Sequence, residues 1–247
     1  MNGITRLLVL AFGAYVLSGC GGLGFGTIGQ SPKVRVFNAV DNQSPITVTY
    51  KDSSGNSLAT SQAATFAGVP AQDVLIKNTN ATPSVQVGAA TLFTGTSKLY
   101  QVNSRYSLYA GGVPGNYVAI PLNDDVQKGT TATSLDVRAV HVGANTPAAD
   151  VYIALASPGG VSGTALFTGL TFGHVSAAGN STVVLDANGY GLLAATSNTI
   201  YQVIVTAHNS KVPIATTTSI LNPTVYYTVV VYDSGNGTGV QILSDRH

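Results

Sequence analysis

Residues 137 to 153, VRAVHVGANTPAADVYI, repeat the pattern of residues 34 to 51, VRVFNAVDNQSPITVTYK. Val34-Arg35 aligns with Val137-Arg138 and Asn42 with Asn145 at an offset of 103; after a one-residue loop difference Pro45 aligns with Pro147 and Tyr50 with Tyr152 at 102. Three later landmarks keep the same order. TFAGV at 65–69 matches TFGHV at 171–175, SRYSLYAGG at 104–112 matches VYYTVVVYD at 225–233, and VAIPLNDD at 118–125 matches VQILSD at 240–245. A duplicated unit of about a hundred residues, a common domain size, must fold as two copies of one architecture.

That architecture reads as all-β. Ile46, Val48 and Tyr50 alternate with Thr47, Thr49 and Lys51, which suits a strand with one dry and one wet face. Val225, Tyr227, Val229 and Val231 alternate with Tyr226, Thr228, Val230 and Tyr232, apolar on both faces, which suits a central strand. Turn signals recur at 52–56 (DSSGN), 186–189 (DANG) and 233–237 (DSGNG). Composition agrees: there is no Glu, all ten acidic residues are Asp, and charged residues are only 9% of the chain, so strong helix formers are scarce. Many short strands with frequent turns predict one immunoglobulin-like β-sandwich per unit, residues 33–126 and 135–247. The polar segment 127–134, QKGTTATS, reads as a linker that sets the two domains end to end.

The N-terminus predicts export. Residues 1–19 carry Arg6 and then an apolar run from Leu7 to Leu17, too short to span a bilayer as a helix and suited to a signal peptide. Leu17-Ser18-Gly19-Cys20 resembles the lipobox of bacterial lipoproteins, and that resemblance implies a diacylglycerol thioether on Cys20. Cys20 is the only cysteine, and a leftover thiol in an exported chain otherwise lacks a purpose. Two or more acyl chains meet the two-signal requirement for stable anchoring. Residues 20–32 are then a lipidated cysteine and a Gly-rich tether. Gly21 stands where inner-membrane-retained lipoproteins carry Asp, which points to the outer membrane. The predicted location is the cell envelope, and the predicted contact is membrane lipid through Cys20.

VRAVHVGANTPAADVYI also resembles the opening of a bacterial immunoglobulin-like family, domain of unknown function 4397, through Val137, Arg138, His141, Pro147, Asp150, Val151 and Tyr152. The first unit departs from it with Asn38 and Val48 where His and Asp stand. The resemblance spans both units and implies an exported β-sandwich without an assigned activity.

Candidate chemistry is sparse. His141 and Asp150 flank a predicted strand-turn-strand and could meet across it, but a triad needs an activated Ser and a zinc site three or four ligands; the competing reading has His141 hydrogen-bonding a loop. His174, His208 and His247 lack carboxylate or His neighbours at ligand spacing and read as surface residues. Asp124-Asp125 reads as a calcium contact or a solvated strand end, because adjacent residues of a strand point to opposite faces. The turn at 233–239 is faintly like a calcium loop without its closing Glu, and a hairpin explains it more simply. Twelve Tyr and no Trp raise a sugar- or peptide-binding face built from Tyr100, Tyr106, Tyr109 and Tyr117 and from Tyr226, Tyr227 and Tyr232; the alternative places them in cores.

No Gly-x-Ser-x-Gly, phosphate-cradling Gly-Lys-Ser/Thr or His-Glu-x-x-His motif occurs, and the lone cysteine is assigned to lipid. No cofactor or metal is implied. A net charge of +1 supplies no field for a polyanion, which excludes nucleic acid as the expected partner. The function expected is a non-catalytic structural or interaction module of the adhesion type, meeting a protein or glycan at the envelope; a saccharide-binding or glycan-active protein is the alternative.

Overall fold

The computed structural model describes residues 30–41, 45–77, 79–125, 133–156, 161, 163–235 and 237–245. The leader, Cys20, the tether up to residue 29, Asn42, residues 126–132 of the linker region and His247 lie outside the described residues.

The first repeat contributes β1 (Lys33–Val40), β2 (Thr47–Lys51), β3 (Ser57–Thr60), β4 (Val74–Leu75), β5 (Thr79–Val87), β6 (Ala90–Thr94), β7 (Lys98–Tyr100), β8 (Arg105–Val113) and β9 (Asn116–Asn123). The second contributes β10 (Ser134–His141), β11 (Ala149–Leu155), β12 (Phe167–Leu170), β13 (His174–Val175), β14 (Gly191–Ala194), β15 (Thr199–Ala207), β16 (Pro213–Leu221), β17 (Tyr226–Ser234) and β18 (Gly237–Asp245), with one short 3-10 turn at Ala178–Asn180. Two sheets form in each repeat. Their orders are β4-β1-β8-β9 and β3-β2-β5-β6 in the first, β13-β10-β17-β18 and β12-β11-β15-β16 in the second. The matching orders are the duplication made visible: β1 runs parallel to β8 as β10 runs parallel to β17.

Period-two alternation sorts the side chains. In β1, Val34 and Val36 enter the first core with Val48, Tyr50 and Leu108; in β10, Leu135, Val137 and Ala139 enter the second with Val151, Phe167 and Val229. Each core closes an immunoglobulin-like sandwich, and each holds a tyrosine corner. The Tyr106 hydroxyl accepts from the Gln101 backbone N–H at 3.0 Å, and the Tyr227 hydroxyl accepts from that of Asn222 at 2.9 Å. This bond pins the entry to a central strand.

The opposite faces of the same strands are also apolar, and they decide how the repeats sit. Phe37, Ala39 and Tyr109 of the first repeat pack with Val140, Val142, Val230 and Leu243 of the second in a third core. The end-to-end arrangement expected from the linker is therefore corrected: the sheets β4-β1-β8-β9 and β13-β10-β17-β18 lie face to face. The reason is that the outer faces of β1, β8, β10 and β17 carry an apolar half, Phe37, Ala39, Tyr109, Val140 and Val230, that is buried rather than left in water, and a polar half, Arg35, Ser107, Arg138 and Thr228, whose charged groups find partners across the interface. Contact is close at Gly111, where an added Cβ would come within 2.5 Å of the Val142 carbonyl oxygen. Both repeats lie in one compact unit, Ser31–His247.

The central strands of the two repeats point the same way. Ser31 to Lys33, Asp124, Ser134 and Asp245 fall at one end, called proximal here because the chain enters there. Asp41, the loop from Val142 to Ala148 and the β8–β9 and β17–β18 hairpins fall at the other, the distal end. Strands of eight or nine residues rising about 3.3 Å each separate the ends by roughly 25 Å.

Candidate functional site

At the proximal half of the interface the two repeats exchange charges. Arg35 of the first repeat ion-pairs with Asp245 of the second, and Arg138 of the second with Asp124 of the first. The remaining donors follow the same exchange. Arg35 donates to the Ser107 hydroxyl at 2.8 Å and the Ser244 carbonyl at 2.7 Å; Arg138 donates to the Thr228 hydroxyl at 2.8 Å and the Asn123 carbonyl at 2.8 Å. Ser107 in turn donates to Asp124 at 2.6 Å and Thr228 to Asp245 at 2.7 Å. Every Arg35 partner has its Arg138 counterpart in the other repeat, the pattern of an isologous interface between two copies.

Tyr190 completes the network, donating to Asp245 at 2.7 Å while its ring lies 4.5 Å from the Arg138 guanidinium carbon. Burial alone would lower the Arg138 pKa, but Tyr109, Tyr190, Asp245 and Asp124 outweigh it and hold the guanidinium above its usual range. Asp124 is thus neither a calcium contact nor a solvated strand end: the network takes it up, and Asp125 accepts from the Arg105 N–H at 3.0 Å. The network is a fastening; it presents no reactive group to solvent.

His141 and Asp150 are not brought together. The buried His141 ring bonds the Pro147 carbonyl through Nε2 at 3.1 Å and accepts from the Gly143 N–H through Nδ1 at 3.3 Å, so it shapes the loop that follows β10. Burial pushes its pKa down. Asp150 instead accepts from the backbone N–H of Gly169 at 2.8 Å and of Asn209 at 3.1 Å, and it pairs with His208 Nδ1 at 2.8 Å. Burial acts to raise its pKa, yet the hydrogen bonds from His208, Gly169 and Asn209 prevail and the net direction is down. His208, read from sequence as a surface residue, is 43% exposed but anchored to this carboxylate. The pairing of β11 with β15 puts Asp150 opposite Thr206 and so within reach of His208, a juxtaposition across 58 residues that local spacing does not reveal.

The tyrosine face is also corrected. Tyr100, Tyr106, Tyr109, Tyr226 and Tyr227 are buried, and Tyr117 and Tyr232 are half-buried. Tyr106 and Tyr227 are the corner residues, Tyr109 lies between the repeats, and Tyr226 packs edge-on to Tyr190 at 5.9 Å. The buried rings complete cores and are closed to a ligand, while Tyr117 stacks on Phe93 at 4.9 Å and Tyr232 packs edge-on to Phe37 at 6.1 Å.

A polar site lies at the distal end, between the repeats. Asp41 from the first repeat and Asn145, Thr146, Ser234, Gly235 and Thr238 from the second line a cleft of about 260 Å³. Asp233 sets its shape. Its carboxylate accepts from the Asn145 N–H at 2.9 Å and the Thr146 hydroxyl at 2.9 Å, and Thr146 reaches Thr238 at 3.1 Å. Gly143 allows this, since a Cβ there would stand 2.8 Å from the Asp233 nitrogen. The calcium-like reading of the turn gives way to a hairpin whose carboxylate is already engaged by the neighbouring loop. Hydroxyls, an amide, a carboxylate and hairpin backbone suit the cleft to hydrogen-bonding a polar partner. Sequence marked the 233–237 turn; the pairing of β10 with β17 within the second repeat brings Asn145 and Thr146 to it, and only the share of Asp41 depends on packing between repeats.

No family model and no curated protein matches the chain. Among solved structures it is similar to a carbohydrate-binding module of family CBM26 from Eubacterium rectale Amy13K in complex with maltoheptaose, at 9% identity over 88% of this chain and 98% of that one, with a TM-score of 0.25. A putative cell adhesion protein from Bacteroides fragilis aligns at 8% identity over 89% and 98%, TM-score 0.27. The fimbrial anchor protein Mfa2 from Porphyromonas gingivalis aligns at 10% over 87% and 97%, TM-score 0.25. Likenesses this slight carry no ligand or partner across.

Proposed function

We propose that the chain is a lipid-anchored envelope protein, non-catalytic, that holds a paired β-sandwich upright and offers its distal loops to a protein or glycan partner. The observation that carries this reading is the buried exchange of Arg35, Asp245, Arg138 and Asp124, which fastens both repeats with their loop ends pointing away from the point where the chain enters. A tether at one end and a polar cleft at the other is the layout of a presenting module. The lipobox-like Leu17-Ser18-Gly19-Cys20 supplies the anchor. The saccharide reading loses its tyrosines; polar contacts at the distal cleft are what remain to it.

The test compares attachment of cells carrying the natural chain, Gly235→Trp and Cys20→Ala. Gly235 is exposed and an added Cβ meets nothing within 4 Å, so the indole fills the cleft without disturbing the fold. The reading expects attachment to fall for both variants, with Gly235→Trp still retained at the membrane. Attachment unchanged by Gly235→Trp would remove the distal cleft from the function.

A further inference from the structure

Nine large apolar side chains are exposed among the described residues, and they are unevenly placed. In the first sandwich Leu75, Leu99 and Val102 stand at the proximal end: Leu75 pairs with Lys33, Leu99 lies on β7 opposite Asn80, and Val102 precedes β8. In the second, Leu155 ends β11, Ile200 pairs with Ile220 where β15 begins and β16 ends, and Leu192 lies opposite Asp136 near the start of β10. Only Val212 is at the distal end; Val184 lies along the side. An apolar groove of about 460 Å³ between Leu155, Leu193 and Tyr201 continues the same end. Singly exposed apolar residues are ordinary, but seven gathered at one end of a molecule mark a contact surface.

We infer that this proximal end seats on the lipid bilayer surface, with Leu75, Leu99, Val102, Leu155, Ile200 and Ile220 entering the interface. The inference rests on the anchored reading, for what selects lipid as the occupant is where the chain enters. Pro32 accepts from the Ile76 N–H beside Leu75, and Cys20 is twelve residues earlier. Twelve residues span at most about 40 Å, so a lipid on Cys20 keeps this end within reach of the membrane, and seating the distal end instead would require the chain to run back along the roughly 25 Å length of the molecule. Charge adds little. Lys33, Lys51, Lys77, Lys98 and Arg105 at this end are nearly balanced in number by Asp52, Asp73, Asp125 and Asp186, so seating is apolar and requires no anionic headgroup.

The experiment places a single cysteine at Leu155, Ile200 or Val212 in the full chain, labels it with a fluorophore, and measures acrylamide quenching with and without phosphatidylcholine vesicles. The mass of the N-terminal peptide from the same preparation reports the lipid on Cys20 separately. Seating predicts quenching about threefold weaker at 155 and 200 than at 212 in vesicles, unchanged by salt. Equal quenching at the three sites on a lipidated chain overturns the seating and leaves the anchor standing. Shielding at 155 and 200 on a chain whose Cys20 is unmodified keeps the seating and removes the anchor. Shielding already present in the Cys20→Ala chain without vesicles assigns the surface to a second copy and overturns the inference.

Discussion

Arg35 and Asp245 lie 210 residues apart in the chain and form one buried ion pair. They join the first strand of one repeat to the last strand of the other, and Arg138 with Asp124 makes the reciprocal join. A pair of this kind resists loss of one partner more than replacement of both, because the remaining charge is left buried and uncompensated. Arg138→Met leaves Asp124 without its guanidinium and is expected to cost about 3–5 kcal/mol in urea unfolding. The combined change Arg138→Met, Asp124→Leu should cost clearly less than the sum of the two single changes. Additive costs would mean that the two groups do not act as a unit.

The tyrosine corners give a matched pair of measurements. Tyr106→Phe and Tyr227→Phe each remove one hydroxyl acceptor from a backbone N–H and leave the ring in its core. Each is expected to cost about 1 kcal/mol, and the two should add, since they lie in separate sandwiches. A cost found in one repeat alone would break the equivalence that the shared geometry implies.

Asp136 carries a pH signature. Its Oδ2 is buried and accepts no hydrogen bond among the described residues, and burial, with Asp186 adding to it, raises its pKa to about 6. The folded carboxyl therefore holds its proton to higher pH than the unfolded one near 4. This contribution to stability is fully present below about pH 4 and is lost as pH rises through about 6. Asp136→Asn should raise stability at pH 7 by about 1 kcal/mol, a figure reduced for solvent screening, and change nothing at pH 3.5. Equal stabilisation at both pH values would locate the effect elsewhere.

Much of this was legible in the chain. The alternation in 225–232 marked a strand dry on both faces, which is β17, and the duplication foretold two sheet pairs of one topology. Arg35 with Arg138, and Asp124 with Asp245, are charges that recur in both copies of a charge-poor chain. That recurrence was the available signal for the exchange network. It was not decoded because a face-to-face partner leaves no periodicity distinct from that of a sandwich core. Asp150 with His208 failed for a different reason: a register between β11 and β15 creates the contact, and the residues between them do not encode it locally. The tyrosines misled because a ring that fills a core and a ring that binds sugar are the same residue in the sequence, and only packing separates them.

The close approach at Gly111 tests whether the third core is what makes the unit cooperative. An added Cβ would lie 2.5 Å from the Val142 carbonyl oxygen and 2.6 Å from its Cβ, and both are held by β-structure that cannot yield cheaply. Gly111→Val should force the two sheets apart at a cost of about 2–3 kcal/mol, while the cores around Val36 and Val229 stay intact. Each sandwich then unfolds on its own, so urea unfolding followed by tyrosine fluorescence should split into two transitions. Gly55→Ala is the control. Gly55 sits at a φ of +83° with nothing within 4 Å of its added Cβ, so that substitution strains one turn by about 1 kcal/mol and touches no interface. It should lower the midpoint and keep a single transition. A single transition in Gly111→Val would mean that the exchange of Arg35 and Arg138 alone is enough to couple the repeats.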